Sequence, residues 1–407
     1  MQIYKVGGAV RDRLLNLPIK DNDWVVVGAT IEVMEAQGYQ QVGRDFPVFL
    51  HPKTHEEYAL ARTERKTAAG YQGFVVHATP NVSLEDDLLR RDLTINAMAE
   101  AEDGSIIDLF NGQADLQAGI LRHVSPAFIE DPVRILRLAR FAARFNFHVA
   151  DETQQLMQHM VENGEVDALV AERVWAELDR ALIEPYPQRF IEVLRQCGAL
   201  AKILPEIDQL FGVPQPEQYH PEVDTGIHML LSLQRARALT EDAETLFAVL
   251  CHDIGKGTTD PALHPKHIKH EIRGIDSVRA LCNRWRVPKS FKEMALLVTE
   301  YHTHCHRAES LQPKTWVKLF QAINPVRFPQ RVTQFLIACQ ADAQGRTGYE
   351  DTPYPQAKLC RQVFAVIATV EVKAIIEAGF TGAAISEELH VQRVKAVRGY
   401  LKSLNLR

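Results

Sequence analysis

Two aspartates one residue apart, Asp21 and Asp23, carry the strongest chemical signal in the chain. They precede an apolar run, 24–27, and in an extended strand the side chains at i and i+2 point to the same face. Two carboxylates held that close favour Mg²⁺, which binds through one or two carboxylates together with the oxygens of a substrate phosphate. Alone, a D-x-D pattern more often marks a solvated strand end, so the interpretation depends on its neighbours.

The residues before this pair read as a strand, a turn and a helix. Residues 1–6 form the strand, Gly7 and Gly8 the turn, and residues 9–17 a short helix that carries Arg11 and Asp12. A glycine turn that opens a helix lets backbone N–H groups approach a phosphate closely. The order of strand, glycine turn, helix and D-x-D strand therefore predicts a site for a nucleoside triphosphate.

A second polar pattern lies on a predicted helix, 130–144. Asp131, Arg134, Arg137 and Arg140 follow one another at i, i+3 steps and so share one face. An amphipathic helix whose arginines merely face water is the alternative. Cytosine and adenine, however, each present an amino donor beside a ring-nitrogen acceptor, which a carboxylate and a guanidinium complement. Asp131 with Arg134 is therefore a candidate protein template for CTP and ATP.

Histidines are concentrated in the second half of the chain, where nine of the sixteen fall between residues 220 and 306. His252 and Asp253 adjoin each other at the end of an apolar helical run, 245–251. Imidazole and carboxylate together suit a transition metal or Mg²⁺ that activates water. A lone His-Asp pair is more often a hydrogen-bonded surface pair. Further candidates for this site are His228, His267, His270, His302 and Asp342.

Length and composition limit the class of protein. A chain of 407 residues is too long for one core, and 46% hydrophobic with 24% charged residues is typical of a globular protein. The net charge of −6 argues against a protein that is basic all over but allows local basic faces. The six cysteines form no C-x-x-C pair, and no apolar span reaches 18 residues. The sequence thus predicts a cytoplasmic location, without a disulfide framework or a membrane segment.

Strand-like segments are concentrated near the N-terminus, and helical periodicity dominates from about residue 125. The expected fold class is α+β, with an α/β head followed by a long helical body. Residues 66–80 lack clear periodicity and predict a mobile loop. Prolines at 185–187, at 205 and within 214–221 predict junctions between helical units. The expected strands are 3–6, 24–27, 40–42, 46–50, 57–61 and 106–108.

Five fragments, taken in order, closely resemble the bacterial class II CCA-adding enzymes, the tRNA nucleotidyltransferases that build the terminal C-C-A of tRNA. They are GGAVRD at 7–12, DND at 21–23, RRDLTINAM at 90–98, EDPVRILRLAR at 130–140 and AERVWAEL at 171–178. The resemblance implies a polymerase-β-like nucleotidyltransferase head followed by an all-helical neck and body. Because 66–80 matches the flexible loop with which complete enzymes switch from C to A, it argues against an enzyme that adds only C.

The resemblance also implies roles for the head residues. Asp21 and Asp23 would hold Mg²⁺ for the attack of the tRNA 3′-hydroxyl on the α-phosphate, with pyrophosphate leaving. Glu57 is the expected third carboxylate, and Glu56 is its competitor because a one-residue shift in a strand reverses the face. The residues implied to bind nucleotide are Gly8, Arg11, Arg91, Asp131, Arg134, Arg137 and Arg140.

The sequence HDIGKG at 252–257 resembles the signature of the HD phosphohydrolases. In the CCA-adding family such a domain is associated with 2′-nucleotidase, 2′,3′-cyclic phosphodiesterase and phosphatase activities. The metal implied is a divalent transition metal, Ni²⁺ among them, or Mg²⁺. His304 and His306 alternate with other side chains and are expected on the surface. The implied ligands are His228, His252, Asp253 and Asp342, lined by His267, His270 and His302.

The expected division is a head at 1–124, a neck at 125–220, an HD domain at 221–345 and a tail at 346–407. Expected partners are tRNA, CTP and ATP, without a membrane, and the protein is expected to be a monomer or homodimer. The tail predicts a basic amphipathic helix that faces either tRNA phosphates or water. Its basic residues are Arg393, Lys395, Arg398, Lys402 and Arg407.

Three rival functions remain open on the sequence alone. A poly(A) polymerase shares the head motifs, but such enzymes typically are more basic and lack an HD body. The chain is alternatively an HD phosphohydrolase with a degenerate head, or a non-catalytic protein that binds RNA or senses nucleotides. The intact pairs Asp21 with Asp23 and Asp131 with Arg134 argue against the last two.

Overall fold

The computed structural model describes residues 1–42, 48–66 and 74–406. The chain forms two compact units, one of Met1–Ala181 with Arg189–Ile203 and one of Leu182–Gln188 with Leu204–Arg407. The predicted proline junctions at 185–187 and 205 fall where the chain passes between these units. The finer division into four domains stays a prediction.

The described strands lie in the first unit. Each strand expected from the sequence has a counterpart among them, with small differences at the ends. In chain order they are β1 (Gln2–Val6), β2 (Asp23–Val27), β3 (Gln40–Gln41), β4 (Val48–Leu50), β5 (Glu57–Leu60), β6 (Thr63–Lys66), β7 (Phe74–His77), β8 (Met98–Glu100), β9 (Ile106–Asp108), β10 (Ile120–Leu121) and β11 (His148–Val149).

Seven of these strands form one mixed sheet in the order β3-β4-β5-β2-β1-β8-β9. β2 lies at its centre, antiparallel to β1 and parallel to β5. Successive residues of β2 point to opposite faces: Val25 packs with Val6 and Leu88 on one side, and Val26 with Phe49 on the other. Because both faces are buried, the end of β2 that carries Asp23 is fixed in place.

Helices of the first unit surround this sheet and continue beyond it. They are α1 (Gly8–Leu14), α2 (Ile31–Ala36), α3 (Leu84–Leu89), α4 (Gly112–Ala118), α5 (Val133–Phe145), α6 (Asp151–Glu162), α7 (Ala171–Leu182), α8 (Gln188–Gln196) and α9 (Ala199–Ile203). Leu182, the last residue of α7, and Gln188, the first residue of α8, belong to the second unit.

The described part of the second unit is helical. Its helices are α10 (Pro205–Asp208), α11 (Thr225–Leu239), α12 (Ala243–Cys251), α13 (His270–Arg284), α14 (Lys289–His306), α15 (Pro313–Ile323), α16 (Gln330–Gln344), α17 (Pro355–Ala368), α18 (Val372–Glu377) and α19 (Ala383–Ser403). Helix α12 is buried from Thr245 to Cys251, and Phe247 and Leu250 are fully enclosed. No helix within the described ranges is both long and apolar enough to cross a bilayer.

The α+β fold class with a largely helical body is confirmed. The predicted loop at 66–80 is wrong in part, because Thr63–Lys66 pairs in an antiparallel ribbon with Phe74–His77. Residues 78–80 of that loop form no helix or strand, and 67–73 lie outside the described residues, as do 46–47 at the start of the predicted strand 46–50. β10 and β11 form a small parallel ribbon that the sequence pattern did not indicate.

Candidate active sites

Three carboxylates lie together at one end of the central sheet. Asp23 begins β2 and is in register with Glu57, the first residue of the parallel neighbour β5. In-register neighbours point to the same face of a sheet, and both side chains are exposed in the same cavity as Asp21. Glu56 has the opposite orientation, and it accepts a hydrogen bond from Asn22 Nδ2 at 2.7 Å. The structure therefore brings Glu57, and not Glu56, to the aspartate pair.

The cavity has a volume of about 760 Å³ and belongs entirely to the first unit. Asp21, Asp23 and Glu57 form its acidic side, while arginines from the head, α5 and α7 form the rest. All the head residues predicted from the sequence line it. Charged and amide lining residues that the sequence analysis did not assign to the site are Arg62, Arg90, Asp92, Asn96, Arg144, Arg173 and Arg180.

The glycine turn before α1 is needed for close packing. Gly7 has φ 71°, and a Cβ there would lie 2.8 Å from Arg91 Nη1. Arg91 in turn pairs with the buried Asp87 at 3.2 Å. A side chain at position 7 would thus displace a cation from the cavity wall.

The other cavity cations are also held by acceptors from the protein. Arg137 donates to Asp92 at 2.8 Å, and Arg140 to Glu177 at 2.6 Å. Arg11 is almost fully buried and donates to Asn96 Oδ1 at 2.5 Å. These contacts fix where the guanidinium groups lie before any ligand binds.

Asp131 caps the helix that carries the arginines rather than lying within it. It precedes α5, and its Oδ1 accepts from the backbone N–H of Val133 at 3.0 Å. Its two oxygens also accept a bidentate pair from Arg173 of α7, at 3.2 and 2.8 Å. Arg134 donates to the carbonyls of Ala127 and Arg90, at 2.8 and 2.7 Å. Asp131 and Arg134, the predicted template, thus both line the cavity, and each is held in position by hydrogen bonds within the protein.

Two carboxylates of the cavity have shifted pKa values in opposite directions. Partial burial raises the pKa of Asp23, and Asp21 adds to this rise although Arg91 opposes it. Burial alone would also raise the pKa of Asp92, but the charge of Arg137 and the hydrogen bond from Asn96 outweigh it and lower the pKa to about 2. Asp92 therefore acts as a fixed anion that orients Arg137, whereas Asp23 lies where a cation would relieve repulsion.

The second unit contains a buried cluster of histidines and aspartates. His228 Nε2 lies 3.1 Å from Asp342 Oδ1, and His252 Nε2 lies 3.3 Å from Asp253 Oδ2. Asp253 Oδ1 lies 3.2 Å from His270 Nε2. His228, His252 and Asp342 form one possible ligand group, and Asp253, His270 and His302 another. Asp253 faces both groups.

The four imidazoles of this cluster share one hydrogen-bonding pattern. In each, Nδ1 lies against a backbone carbonyl, and because a carbonyl only accepts, Nδ1 carries the proton. Each Nε2 is thereby left with a lone pair that points into the cluster. The pairs are His228 with Gly345 at 3.1 Å, His252 with Val249 at 2.7 Å, His270 with His267 at 2.9 Å and His302 with Val298 at 3.0 Å.

The cluster has the donor set and the unmet polar atoms expected of a metal site. His252 Nε2 is buried, yet it makes no hydrogen bond with any described residue. Nitrogen and carboxylate donors in such a group suit a divalent transition metal. Gly255 allows the close packing, because a Cβ there would lie 2.0 Å from the carbonyl oxygen of His270.

Two histidines differ from expectation. His306 is not a simple surface residue, because its Nε2 lies 2.6 Å from Asp342 Oδ2 and its Nδ1 lies 2.9 Å from the Tyr354 hydroxyl. His267 does not face the cluster, since its ring nitrogens contact Thr259 Oγ1 and the Pro214 carbonyl, each at 2.9 Å. The cluster therefore includes His306 and excludes His267.

Comparison with known proteins places these two sites in one family. The Poly A polymerase head domain matches residues 3–122, the probable RNA and SrmB-binding site of polymerase A matches 146–211, and the HD domain matches 225–332. The multifunctional CCA protein of Thioalkalivibrio sulfidiphilus is 59% identical over 401 residues, which is 98% of each chain. That of Nitrosococcus oceani is 58% identical over 398 residues, again 98% of each.

This chain belongs to the multifunctional CCA protein family. It is therefore an enzyme of the CCA-adding class that carries an HD domain. The Bacillus stearothermophilus CCA-adding enzyme in complex with CTP superposes with a TM-score of 0.65 at 22% identity, covering 99% of this chain and 93% of that one. The Thermotoga maritima enzyme complexed with tRNA gives 0.62 at 19%, covering 99% and 91%. These structures support the fold.

The C-terminal helix of this CCA-family chain has one apolar and one basic side. Val394, Val397 and Leu401 of α19 are buried, whereas Lys395 and Arg398 are exposed. Arg393, which the sequence grouped with the basic residues, instead packs over the Phe320 ring at 5.2 Å. Lys402 is exposed on the same side as Lys395, and Arg407 lies outside the described residues.

Proposed function

We propose that this protein adds C, C and A to the 3′ end of tRNA from CTP and ATP, without a nucleic-acid template and with release of pyrophosphate. The observation that carries this proposal is the in-register pair of Asp23 and Glu57, which lies with Asp21 at the acidic side of the arginine-lined cavity. Carboxylates opposite cations are what a complex of metal and triphosphate requires.

The acidic group fits Mg²⁺. Among the described residues, neither Asp21 nor Asp23 forms an ion pair within 4 Å. Partial burial and the charge of Asp21 raise the pKa of Asp23, and a bound cation would stabilise its carboxylate. Asp21, Asp23 and Glu57 would hold the metal. When bound, Mg²⁺ supplies Lewis acidity to the attacking hydroxyl and to the leaving pyrophosphate.

The arginines would bind and orient the triphosphate. Arg91 lies beside Gly7 and Asp23, and Arg137 and Arg140 extend the positive wall along α5. Because their carboxylate partners already hold them, little side-chain entropy is lost when phosphate binds. Gly8 and Arg11 would complete the contact near the turn.

Asp131 and Arg134 would select the base. Arg173 and the Val133 N–H occupy three of the roughly four acceptor positions of the Asp131 carboxylate, so the remaining one can accept from the amino group of C or A. Arg134 would donate to the ring nitrogen. Uracil and guanine, which present a carbonyl beside an N–H, would meet two mismatched partners.

The HD cluster would hold a second divalent metal, either a transition metal such as Ni²⁺ or Mg²⁺, through His228, His252, Asp253 and Asp342. Asp253 also faces His270 and His302, and these three residues form a second candidate ligand group. Bound metal activates water for phosphate-ester hydrolysis. The proposed activities are those of a 2′-nucleotidase, a 2′,3′-cyclic phosphodiesterase and a phosphatase.

The exposed residues Lys395, Arg398 and Lys402 would contact tRNA phosphates, since they lie at i, i+3 and i+7 on one face of α19. We place the reaction in the cytoplasm. The six cysteines are all free and buried, which fits a reducing compartment.

One experiment tests both sites. The protein is incubated with tRNA that lacks its 3′ end, with Mg²⁺ and with each labelled nucleoside triphosphate in turn. We expect incorporation of CTP, then ATP, with growth ending after three residues. Asp21→Ala should abolish incorporation and spare hydrolysis of a cyclic phosphate, and His252→Ala should do the opposite.

Each contrary result identifies a rival. Unlimited addition of A would indicate a poly(A) polymerase. Hydrolysis without incorporation would indicate an HD phosphohydrolase with a degenerate head, and neither activity a binding or sensing protein. Loss of both activities in either variant would contradict two independent sites.

A further inference from the structure

A smaller cavity, of about 280 Å³, lies beside the HD cluster and contains two arginines. Leu231 and Arg235 of α11 form one wall, and Gly345 and Arg346, just after α16, form another. The proposed metal ligands do not line it. The cavity is therefore distinct from the proposed metal site.

Helical spacing places the cavity next to the metal cluster. Leu231 and Arg235 follow His228 at i+3 and i+7, so all three lie along one face of α11. Arg235 is thereby about 10 Å further along the helix axis than His228. On the other wall, Arg346 follows Asp342 by four residues, and its Nη2 lies 3.9 Å from Asp342 Oδ1. The cavity thus adjoins the segments that carry two proposed ligands, His228 and Asp342.

The two arginines of this cavity differ in how close their nearest carboxylate lies. Arg235 donates from Nε to the neutral amide oxygen of Gln344 at 2.9 Å, and it forms no ion pair within 4 Å among the described residues. Arg346 Nε is buried and makes no hydrogen bond within the described ranges. The rim carboxylate, Glu350, is exposed and accepts from the Gly348 N–H at 3.0 Å. Arg346 thus has the Asp342 carboxylate 3.9 Å away, whereas Arg235 has no carboxylate within 4 Å among the described residues.

The wall between the cavity and the cluster is closely packed. A Cβ on Gly345 would lie 2.4 Å from Ser232 Cα, so the end of α16 touches the backbone of α11. The Gly345 carbonyl also accepts from His228 Nδ1. A ligand held in the cavity is therefore placed at a fixed distance from the metal ligands.

We propose that this cavity binds the internucleotide phosphate next to the phosphate that the HD site hydrolyses, so that the preferred substrate is the phosphorylated end of an RNA chain rather than a mononucleotide. This proposal rests on the phosphohydrolase function proposed above. Arg346, beside Asp342, contacts the reacting phosphate group. Arg235, further from the cluster, contacts the next phosphate along the chain. Guanidinium groups pair with phosphate through parallel charged hydrogen bonds, which gives the cavity its specificity.

The test compares a dinucleotide ending in a 2′,3′-cyclic phosphate with the corresponding mononucleoside 2′,3′-cyclic phosphate, using the full-length protein and a divalent metal. We expect kcat/KM to favour the dinucleotide about tenfold, and Arg235→Gln to remove this preference mainly through KM. The control is Arg279→Gln, which removes an exposed arginine of α13 in the same unit. It should leave the preference unchanged. Thermal unfolding checks that both variants fold.

Equal kcat/KM values for the two wild-type substrates, or a preference that survives Arg235→Gln, would overturn the proposal. If the wild-type protein hydrolyses neither substrate with any metal, the proposed hydrolase function fails, and the cavity is judged by binding alone. Calorimetry in EDTA with a dinucleotide 3′-phosphate should then give about tenfold weaker binding to Arg235→Gln than to wild type. Equal binding in that case would reject the cavity as a phosphate subsite.

Discussion

Arg173 of α7 holds both oxygens of Asp131, through hydrogen bonds of 3.2 and 2.8 Å. A bidentate pair fixes the plane of a carboxylate as well as its position. The Asp131 carboxylate, which is proposed to read the base, is thus oriented by a residue of α7 and not by a residue of α5. Nucleotide selection should therefore depend on Arg173 even where Arg173 does not touch the base.

Replacing Arg173 with lysine tests this dependence. Lysine keeps the charge but loses the planar fork, so discrimination between CTP and UTP should fall about tenfold, while pyrophosphate release from bound CTP continues. The measurement is kcat/KM for incorporation of each nucleotide into tRNA that lacks its 3′ end. Arg195→Lys, on the exposed side of α8, is the control. Unchanged discrimination in Arg173→Lys would show that Asp131 needs no such support.

The choice of third carboxylate can be tested by a matched pair. Glu57 is in register with Asp23, whereas Glu56 is bonded to Asn22. Glu57→Gln should lower kcat for CTP incorporation on the order of 10²-fold, because it removes charge from the proposed metal site. Glu56→Gln should retain activity within a few-fold. The reverse order of effects would move the third ligand to Glu56.

Glu222 should set the metal affinity of the HD site without binding metal itself. Its Oε1 lies 3.0 Å from His228 Nδ1 and 3.1 Å from His220 Nδ1. Carboxylates behind a histidine ligand typically contribute 10–100-fold to metal affinity, so Glu222→Gln should weaken binding by roughly that factor. Competition with a chromophoric chelator measures it, with the exposed Glu217→Gln as control. Equal metal affinity in both variants would contradict the role.

The pH dependence of the free energy of unfolding should include a contribution from His267, which is half-buried and neutral in the folded protein. Burial, with a smaller contribution from the charge of Lys256, lowers its pKa to about 4, although the hydrogen bond with the Pro214 carbonyl opposes this shift. The unfolded pKa is about 6.5, so below it the unfolded state binds more protons and stability falls as the pH drops towards 4.

His267→Gln should make the free energy of unfolding decrease less steeply as the pH falls. The free energy of unfolding is measured by urea titration of the EDTA-treated protein across pH 4 to 6.5. The slope attributable to His267 is at most about 1.4 kcal/mol per pH unit, and less at this half-buried position. His148→Gln removes an exposed histidine of β11 and should leave the slope unchanged. A slope that is the same in wild type and His267→Gln would show that His267 is not held neutral.

The sequence was most informative where one element carries a whole pattern. Asp21 and Asp23 precede a single strand, and the arginines of α5 follow one helical face, so local geometry alone brought them together. Arg173 was not predicted, because its contact with Asp131 spans 42 residues and depends on how α7 packs. The positions of Arg173, Glu177 and Arg180, at i, i+4 and i+7, were the available signal.

His306 was misjudged because the wrong period was applied. Alternation with Thr303 and Cys305 suggests opposite faces only in a strand, whereas 302–306 lies in α14. In a helix, His302 and His306 are one turn apart and share a face, while His304 points elsewhere. The ribbon of β6 and β7 was missed because its strands are short and pair only with each other.

The most direct test of the account is a crystal structure of the protein with CTP and Mg²⁺. We expect the metal between the triphosphate and the carboxylates of Asp21, Asp23 and Glu57, with the cytosine amino group at Asp131. A triphosphate bound away from these carboxylates, or the same carboxylates paired with arginines in place of the metal, would contradict it.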